Sequence, residues 1–293
     1  MTARSLMPPR PIDPLVDYAF KRVFGTVATI PLWRHFLNSI IKPQVPFAEL
    51  TLLNPMNERE FEESKLTVVD VKARDADGRV VQVEVQLLTH AALTARMLYT
   101  WAEIYRNQMT RGDDFDALFP VVSVWIVASS FLPGTACHSR FELLDRSSLV
   151  RLSDHVEFHV LELPKAMPGL AEEDAWIHFL KEAGAWTERP HPLAAIAELR
   201  DAMAILNDIS QGEADYELYA RRLYLQRLEA TVQKRLARLE DAERQIAAAE
   251  HQIAAAEQAA AAAEQTAAEN ARRVEELTAE NARLRAQVAP QGD

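Results

Sequence analysis

The chain has 293 residues and a mass of 33.0 kDa, and its 48% hydrophobic and 26% charged residues are typical of a globular protein with a substantial core. Its single cysteine, Cys137, excludes an intramolecular disulfide framework and any zinc site built from several thiolates. The formal net charge of −11 argues against a uniformly basic nucleic-acid binder, although residues 1–130 carry a net charge of only −1 and can still approach a phosphate backbone.

The sequence is not typical of an exported or membrane protein. Residues 1–13 are polar and proline-rich, unlike the apolar core of a secretory signal. The most apolar stretch, residues 119–132, is too short to span a bilayer and is typical of a buried strand. Together with the single cysteine, these features predict a cytoplasmic protein with no membrane association.

The first 163 residues combine helical and strand patterns. Helices are predicted where apolar residues recur every three to four positions, and strands where they alternate or form short buried runs. In chain order, the predicted elements are helices at 13–24 and 32–41, strands at 48–54, 66–74 and 79–88, a helix at 91–110, and strands at 120–128 and 156–163.

Beyond these elements the patterns are helical. Segments 171–183 and 193–209 predict a small helical layer that precedes a long tail. From Leu225 to Val288, alternate steps of three and four residues meet an almost unbroken apolar series, which predicts a coiled coil with a partner chain. Asn281 within this series is a residue type that favours a paired register. The alternative is a single solvated, alanine-rich helix.

The strongest signal lies in two strands that alternate apolar and polar residues on either side of the turn Asp75-Ala76-Asp77-Gly78. A three-residue loop with Gly78 in the left-handed conformation pairs Asp75 with Arg79. The same register places Asp70 opposite Glu84. A two-residue loop would mix polar and apolar residues on each face, so the hydrophobic pattern argues against it.

Two carboxylates in these positions repel each other unless something neutralises them. A divalent cation removes the repulsion, and carboxylates with waters suit Mg²⁺ or Mn²⁺. Gln86 points to the same face as Glu84 and can orient a water or a phosphate oxygen. The alternative is a solvated polar face on which Lys72 and Arg74 neutralise the acids.

Four segments resemble a known family when they are taken in order. The chain resembles the PD-(D/E)XK nuclease core, and more specifically the Rpn-type recombination-promoting nucleases, also described as putative transposases. The resemblance covers roughly residues 11–165 and implies an α/β fold with a mixed sheet flanked by helices. The matching segments are 17–25, 69–75, 83–86, and 96–126.

This resemblance implies a divalent-metal-dependent DNA endonuclease that uses Mg²⁺ or Mn²⁺. Asp70 and Glu84 would hold the metal, with the carbonyl of Val85 as a candidate third ligand. Gln86 stands where the wider superfamily usually has lysine, and the Rpn-type family itself has glutamine at this position. Lys72 on the same face is a candidate for the missing positive charge. Asp17 on the first helix is a candidate third acid, or else a helix-terminal charge paired with the lysine one turn later.

The predicted helix at 91–110 lies next in the chain and should border this site. Its Arg96, Tyr99 and Arg106 are candidates for contact with the DNA backbone, and the alternative is that they are packed or solvated. The sequence thus predicts a nuclease-like domain at 11–165, a helical layer at 166–212 and a coiled-coil tail at 213–289 that forms homo-oligomers. The alternative function is an inactive nuclease-fold scaffold that assembles through its tail.

Overall fold

The computed structural model describes residues 10–54, 69–87, 92–167, 172–186 and 193–288, without the side chains of Val69, Asp70, Glu172, Ala194 and 286–288. Short 3₁₀ turns join several of its elements. The helices are α1 Asp17–Phe24, α2 Ile30–Ile41, α3 Leu93–Arg106, α4 Glu172–Glu182, α5 Ala197–Gln211 and α6 Glu213–Val288. The strands are β1 Leu50–Leu52, β2 Val69–Asp75, β3 Val80–Gln86, β4 Val121–Val127, β5 His138–Leu144 and β6 Arg151–Glu162.

The described strands form one mixed sheet in the order β1-β2-β3-β4-β6-β5. The pairs β3–β4 and β4–β6 are parallel, and the other neighbouring pairs are antiparallel. All seven residues of β4 are buried, as expected for a central strand covered on both faces. The predicted α/β fold with a mixed sheet flanked by helices is therefore confirmed.

One face of the sheet packs against α1, α2, α4 and α5 and forms the main core. The strands contribute alternate valines to it, and the helices contribute large aromatic residues. The ring of Trp176 on α4 lies 5.6 Å from the rings of both Phe24 and Phe36, measured between centroids. Burial of such side chains is the dominant favourable contribution to folding, at roughly 25 cal/mol per Å² of apolar surface.

The opposite face packs against α3. Its apolar cluster is smaller, and the buried side chains are Leu93, Met97, Trp125, Val127, Phe158 and Val160. Trp101 of α3 packs against this cluster and donates its indole N–H to the carbonyl of Val121, at 3.0 Å. This small cluster holds α3 against the sheet beside the polar residues of β3.

Among the described residues, the predicted elements agree with the structure within a few residues at each end, apart from one strand that the sequence pattern missed. Positions 66–68, 88, 91 and 171 of the predicted elements lie outside the described residues. Strand β5, His138–Leu144, carries mostly polar or partly exposed residues, because it lies at an edge of the sheet. Strand periodicity is weak where neither face is fully buried. Strand β6 also begins before the predicted 156–163, because its first residues pair only with β5.

The long C-terminal helix α6 spans two compact units of the chain, one ending at Gln233 and the other beginning at Lys234. In the second unit, the apolar residues of the predicted heptad series are exposed, including Leu239, Ile246 and Ile253. None of the helices in the described residues is long and apolar enough to cross a membrane.

Candidate active site

The turn between β2 and β3 has the predicted geometry. Gly78 adopts a φ of +87°, and a Cβ atom there would overlap the ring of Phe119, so both backbone and space favour glycine. The amide of Asp75 donates to the carbonyl of Arg79, and the side chain of Asp75 accepts from the amide and the guanidinium of Arg79, at 2.8 and 2.6 Å. This ion pair and these hydrogen bonds fix the loop length and therefore the strand register.

The register places Asp70 opposite Glu84 and Lys72 opposite Gln82, which confirms the predicted pairing. The side chain of Asp70 lies outside the described part of the chain. Glu84 and Gln82 are only 3% and 0% exposed, so the polar face of β3 is buried. The alternative interpretation of a solvated polar face therefore fails for this strand.

Glu84 is held in place by its neighbour two residues earlier on the same face. The amide nitrogen of Gln82 donates to Glu84 Oε1 at 2.6 Å. The other side-chain atom of Gln82, Oε1, is buried and has no hydrogen-bond partner among the described residues. A buried amide oxygen of this kind is costly unless a water or a cation completes its contacts.

The donor set next to Glu84 fits a hard divalent cation. It offers a buried carboxylate and a buried amide oxygen, together with Asp70 at the opposing backbone position. Carboxylate and amide oxygens are the ligands that Mg²⁺ and Mn²⁺ prefer. Among the described side chains, which exclude that of Asp70, no three His, Cys, Asp or Glu residues form a cluster suited to a metal ion.

Gln86 lies at the end of β3 and meets α3. Arg96 on that helix donates to Gln86 Oε1 at 3.1 Å, and its guanidinium carbon lies 5.9 Å from the ring of Trp125. Helix α3 thereby brings a permanent positive charge next to Gln86. The sequence had offered Arg96 only as one of three candidates for contact with DNA.

The remaining candidates on this side differ in exposure. Lys72 is partly buried opposite Gln82, and its backbone amide donates to Asn54 Oδ1 at 2.7 Å. Tyr99 and Arg106 are exposed on α3, so the packed alternative for Tyr99 is wrong. Both remain accessible to a ligand that approaches this helix.

Asp17 lies on α1, whose apolar residues belong to the main core on the other face of the sheet. Its carboxylate is 2% exposed and forms ion pairs with Lys21 at 3.3 Å and with Arg222 of α6 at 3.9 Å. The lysine one turn later is thus the partner that the sequence suggested. A role for Asp17 as a third acid stays a prediction.

Comparison with known proteins decides the family. The model of the PD-(D/E)XK nuclease family transposases matches residues 14–234, which is well over half of the chain. The chain belongs to this family. Comparison with curated proteins and with solved structures finds no match.

Family membership confirms the resemblance stated from the four segments and extends it. The matched region continues past residue 165 through α4 and α5 and into the first part of α6. It leaves out the alanine-rich part of the tail, as the motifs had indicated. The order of strands and helices is consistent with the PD-(D/E)XK fold, and the family supports a nuclease-type function.

Sequence reasoning missed two residues that shape this face. One is Gln82, which looked like an ordinary polar position in an alternating strand. The other is Glu162 at the end of β6, which is fully buried and accepts from the backbone amides of Phe131 and Leu132, at 2.7 and 3.1 Å, and from Lys165 at 2.6 Å. Burial alone would raise the pKa of Glu162, but these hydrogen bonds outweigh burial and lower it. Glu162 therefore clamps the loop that follows β4.

The adjacent Cys137 and His138 do not form a nucleophilic pair. Burial and the nearby charge of Glu173 raise the pKa of the Cys137 thiol to about 11, so it is protonated near neutral pH. His138 instead bridges two other side chains, with Nδ1 at 2.5 Å from Glu173 Oε1 and Nε2 at 2.8 Å from His159 Nδ1. This contact ties β5 and β6 to α4.

Proposed function

We propose that this chain is a divalent-metal-dependent DNA endonuclease whose metal is held by Asp70 and Glu84, with the carbonyl of Val85 as a third ligand. One observation carries the proposal: Asp70 stands directly opposite Glu84, and Glu84 is buried and held by Gln82. Burying a carboxylate costs several kcal/mol unless it is compensated. A fold that needed only a stable sheet would favour apolar residues here.

The side chains of this face have separate tasks in the proposal. Gln82 fixes the orientation of Glu84, while Gln86 and Arg96 together present hydrogen-bond donors and a positive charge to a phosphate. Lys72, on the same face, supplies a second positive charge. A bound Mg²⁺ or Mn²⁺ would activate a water and stabilise negative charge on the scissile phosphate.

Electrostatics predict modest and salt-sensitive binding to DNA. Residues 1–130 carry a net charge of −1, so attraction depends on a few local cations rather than on the whole domain. Arg96 on α3 contacts Gln86, Lys72 on β2 lies opposite Gln82, and Arg106 is exposed further along α3. We therefore propose that α3 faces the DNA backbone.

The tail is proposed to pair two copies through a coiled coil. Its apolar residues at heptad spacing are exposed in a single chain, and a second helix would bury them. Two paired sites suit cleavage of both strands, or the joining of two DNA segments during recombination in the cytoplasm. Sedimentation velocity of the full chain tests this part, and a monomer at all concentrations would overturn it.

The deciding experiment for the nuclease activity is cleavage of supercoiled plasmid with Mg²⁺, with Mn²⁺ and with chelator. Asp70→Ala and Glu84→Ala are the test variants, and Asp77→Ala in the exposed turn of the same hairpin is the matched control. We expect nicking or linearisation that needs the metal, that both test variants lose and that the control keeps.

Two results would contradict the proposal. One is the absence of cleavage with either metal, and the other is cleavage that survives both substitutions. Either result would favour the second candidate function, a nuclease-fold scaffold that assembles through its tail. Mn²⁺ binding measured by calorimetry in the wild type and in Glu84→Ala distinguishes a metal site without cleavage from no metal site at all.

A further inference from the structure

Strand β5 is an edge of the sheet, and no other described strand pairs with its outer side. An edge strand offers unpaired N–H and C=O groups, which natural proteins usually protect. On β5 the side chains of Phe141 and Leu143 are 46% and 43% exposed, and Leu144 is exposed as well. Exposed apolar residues on an unpaired edge are typical of a surface that another strand covers.

The backbone geometry defines which groups face outward. The amide of Glu162 donates to the carbonyl of Cys137 at 2.8 Å, so Cys137 directs its backbone groups toward β6. In an antiparallel pair these directions alternate along the strand. The N–H and C=O groups of His138, Arg140 and Glu142 therefore point away from β6, toward the side of β5 where no described strand pairs.

Charge selects one register for a second copy of the same strand. An antiparallel partner must place outward-facing residues opposite one another. Pairing Arg140 with Arg140 of a second copy, or Glu142 with Glu142, sets like charges opposite each other, which is unfavourable. Pairing Arg140 with Glu142 of the second copy sets opposite charges together on both sides of the two-fold axis. It also places Phe141 against its own counterpart.

Strand β5 is regular enough for this pairing. Glu142 of β5 pairs with Glu157 of β6, and the next residue, Leu143, pairs with Ser153. The extra residues at this register shift therefore lie on β6. Strand β5 itself continues without an inserted residue. We propose that β5 pairs antiparallel with β5 of a second copy, with Arg140 opposite Glu142 and Phe141 opposite Phe141, so that the two sheets join at their edges.

Contacts within the chain already orient the two charged side chains of this strand. Arg140 lies 2.8 Å from Glu157 and 3.1 Å from Glu142, and Arg151 also contacts Glu142. These contacts restrain the guanidinium and the carboxylate at the strand, where the side chain of Arg140 is still 45% exposed. Preorganised side chains lose less conformational entropy when a second copy binds.

A cysteine cross-link tests the register directly in the full chain. In the proposed pair, the two copies of residue 141 form a non-hydrogen-bonded pair with Cα atoms about 4.5 Å apart, within disulfide reach. The two copies of residue 139 are displaced by four residues, or roughly 13 Å, beyond that reach. We expect Phe141→Cys to form a disulfide-linked dimer under mild oxidation and Ser139→Cys, the matched control, not to do so. Native Cys137 competes poorly because its pKa is raised to about 11.

Charge reversal then tests the pairing itself. Within Phe141→Cys, we expect Arg140→Glu or Glu142→Arg alone to lower the cross-link yield by roughly tenfold, because each sets like charges opposite each other twice. In a mixed dimer of the two variants, the two substituted side chains face each other with opposite charges, and so do the two native ones. The mixed dimer should therefore recover the wild-type yield. In the mixture, each variant still lacks the contacts that its substituted residue makes within its own chain. Recovery of the cross-link yield therefore reports the contact between copies.

The outcomes separate this contact from tail pairing and from catalysis. Equal cross-linking at positions 139 and 141 would show that the tail alone brings the copies together, and it would overturn the proposal. Cross-linking at 141 that ignores both charge reversals, or that does not recover on mixing, would overturn the register. Because the readout is a covalent dimer, it does not depend on nuclease activity.

Discussion

The two faces of the sheet differ in what they bury. The face against α1, α2, α4 and α5 buries an extended set of aliphatic and aromatic side chains, with Trp176 in contact with several other rings. The face against α3 has a small apolar cluster and buries Gln82 and Glu84 beside it. The first face therefore supplies most of the hydrophobic free energy of folding, whereas the burial of polar groups on the second face costs free energy. We therefore expect substitutions on the face against α3 to destabilise the protein less than substitutions in the main core.

The largest expected effect is a loss of stability on the main core face. Trp176→Ala removes a fully buried ring and its N–H donation to His35 Nδ1, at 2.8 Å, and leaves a cavity. We expect a loss of about 3–5 kcal/mol in the free energy of unfolding, measured by urea denaturation. Leu98→Ala on the exposed side of α3 is the control and should change the free energy by less than about 0.5 kcal/mol. Equal losses in the two variants would contradict the division between the faces.

The next effect concerns the stability that the hydrogen bonds of Glu162 give to the loop after β4, and the dependence of this stability on pH. Because the pKa of Glu162 is lowered in the folded protein, its carboxylate stabilises the fold fully above the unfolded value of about 4.3. That stability is lost as the pH falls through the lowered pKa. Glu162→Gln should cost about 2 kcal/mol at pH 7, because it removes hydrogen bonds to a charged group.

Urea denaturation at several pH values between 3 and 7 measures the effect of Glu162→Gln. The stability difference between wild type and variant should shrink as the solution becomes more acidic. Glu240→Gln on the exposed part of α6 is the control and should track the wild type. A difference that stays constant across this range would show that the charge of Glu162 does not stabilise the loop.

A smaller effect is expected for the buried polar pair at the candidate site. Gln82→Leu removes the hydrogen bond that Gln82 donates to the buried carboxylate of Glu84 and should cost about 1–3 kcal/mol. Combining it with Glu84→Leu removes both polar groups, so the double variant should regain the lost stability while losing cleavage. Urea denaturation with a plasmid assay measures both. A double variant less stable than Gln82→Leu would mean that this pair contributes to folding rather than to function.

The smallest effect on stability is expected at Arg96, which is only partly buried. Arg96→Ala should change the free energy of unfolding by about 0.5 kcal/mol or less. If its guanidinium contacts a phosphate, the slope of log Kd for DNA against log salt should fall by about one. Fluorescence anisotropy at several salt concentrations measures this slope. Arg238→Ala on the tail is the control, and an equal change there would exclude a specific role for Arg96.

Local signals predicted much of the fold and the register at the site. The turn at Gly78 and the alternation of valines were enough to pair Asp70 with Glu84, because a hairpin connects residues that are close in sequence. Helices with strong periodicity were likewise predicted nearly in full. The edge strand β5 was missed, since a strand with no buried face has no apolar alternation to recognise.

The sequence by itself determined the hairpin, its opposed acids, the helical tail and the resemblance to a nuclease family. Only the tertiary structure decided that Glu84 is buried, that Gln82 holds it, and that Arg96 of α3 reaches Gln86. The physical reason is that burial depends on which helix covers which face of the sheet. That choice is made by the packing of distant segments, whereas turns and periodic patterns record only the preferences of neighbours in the chain.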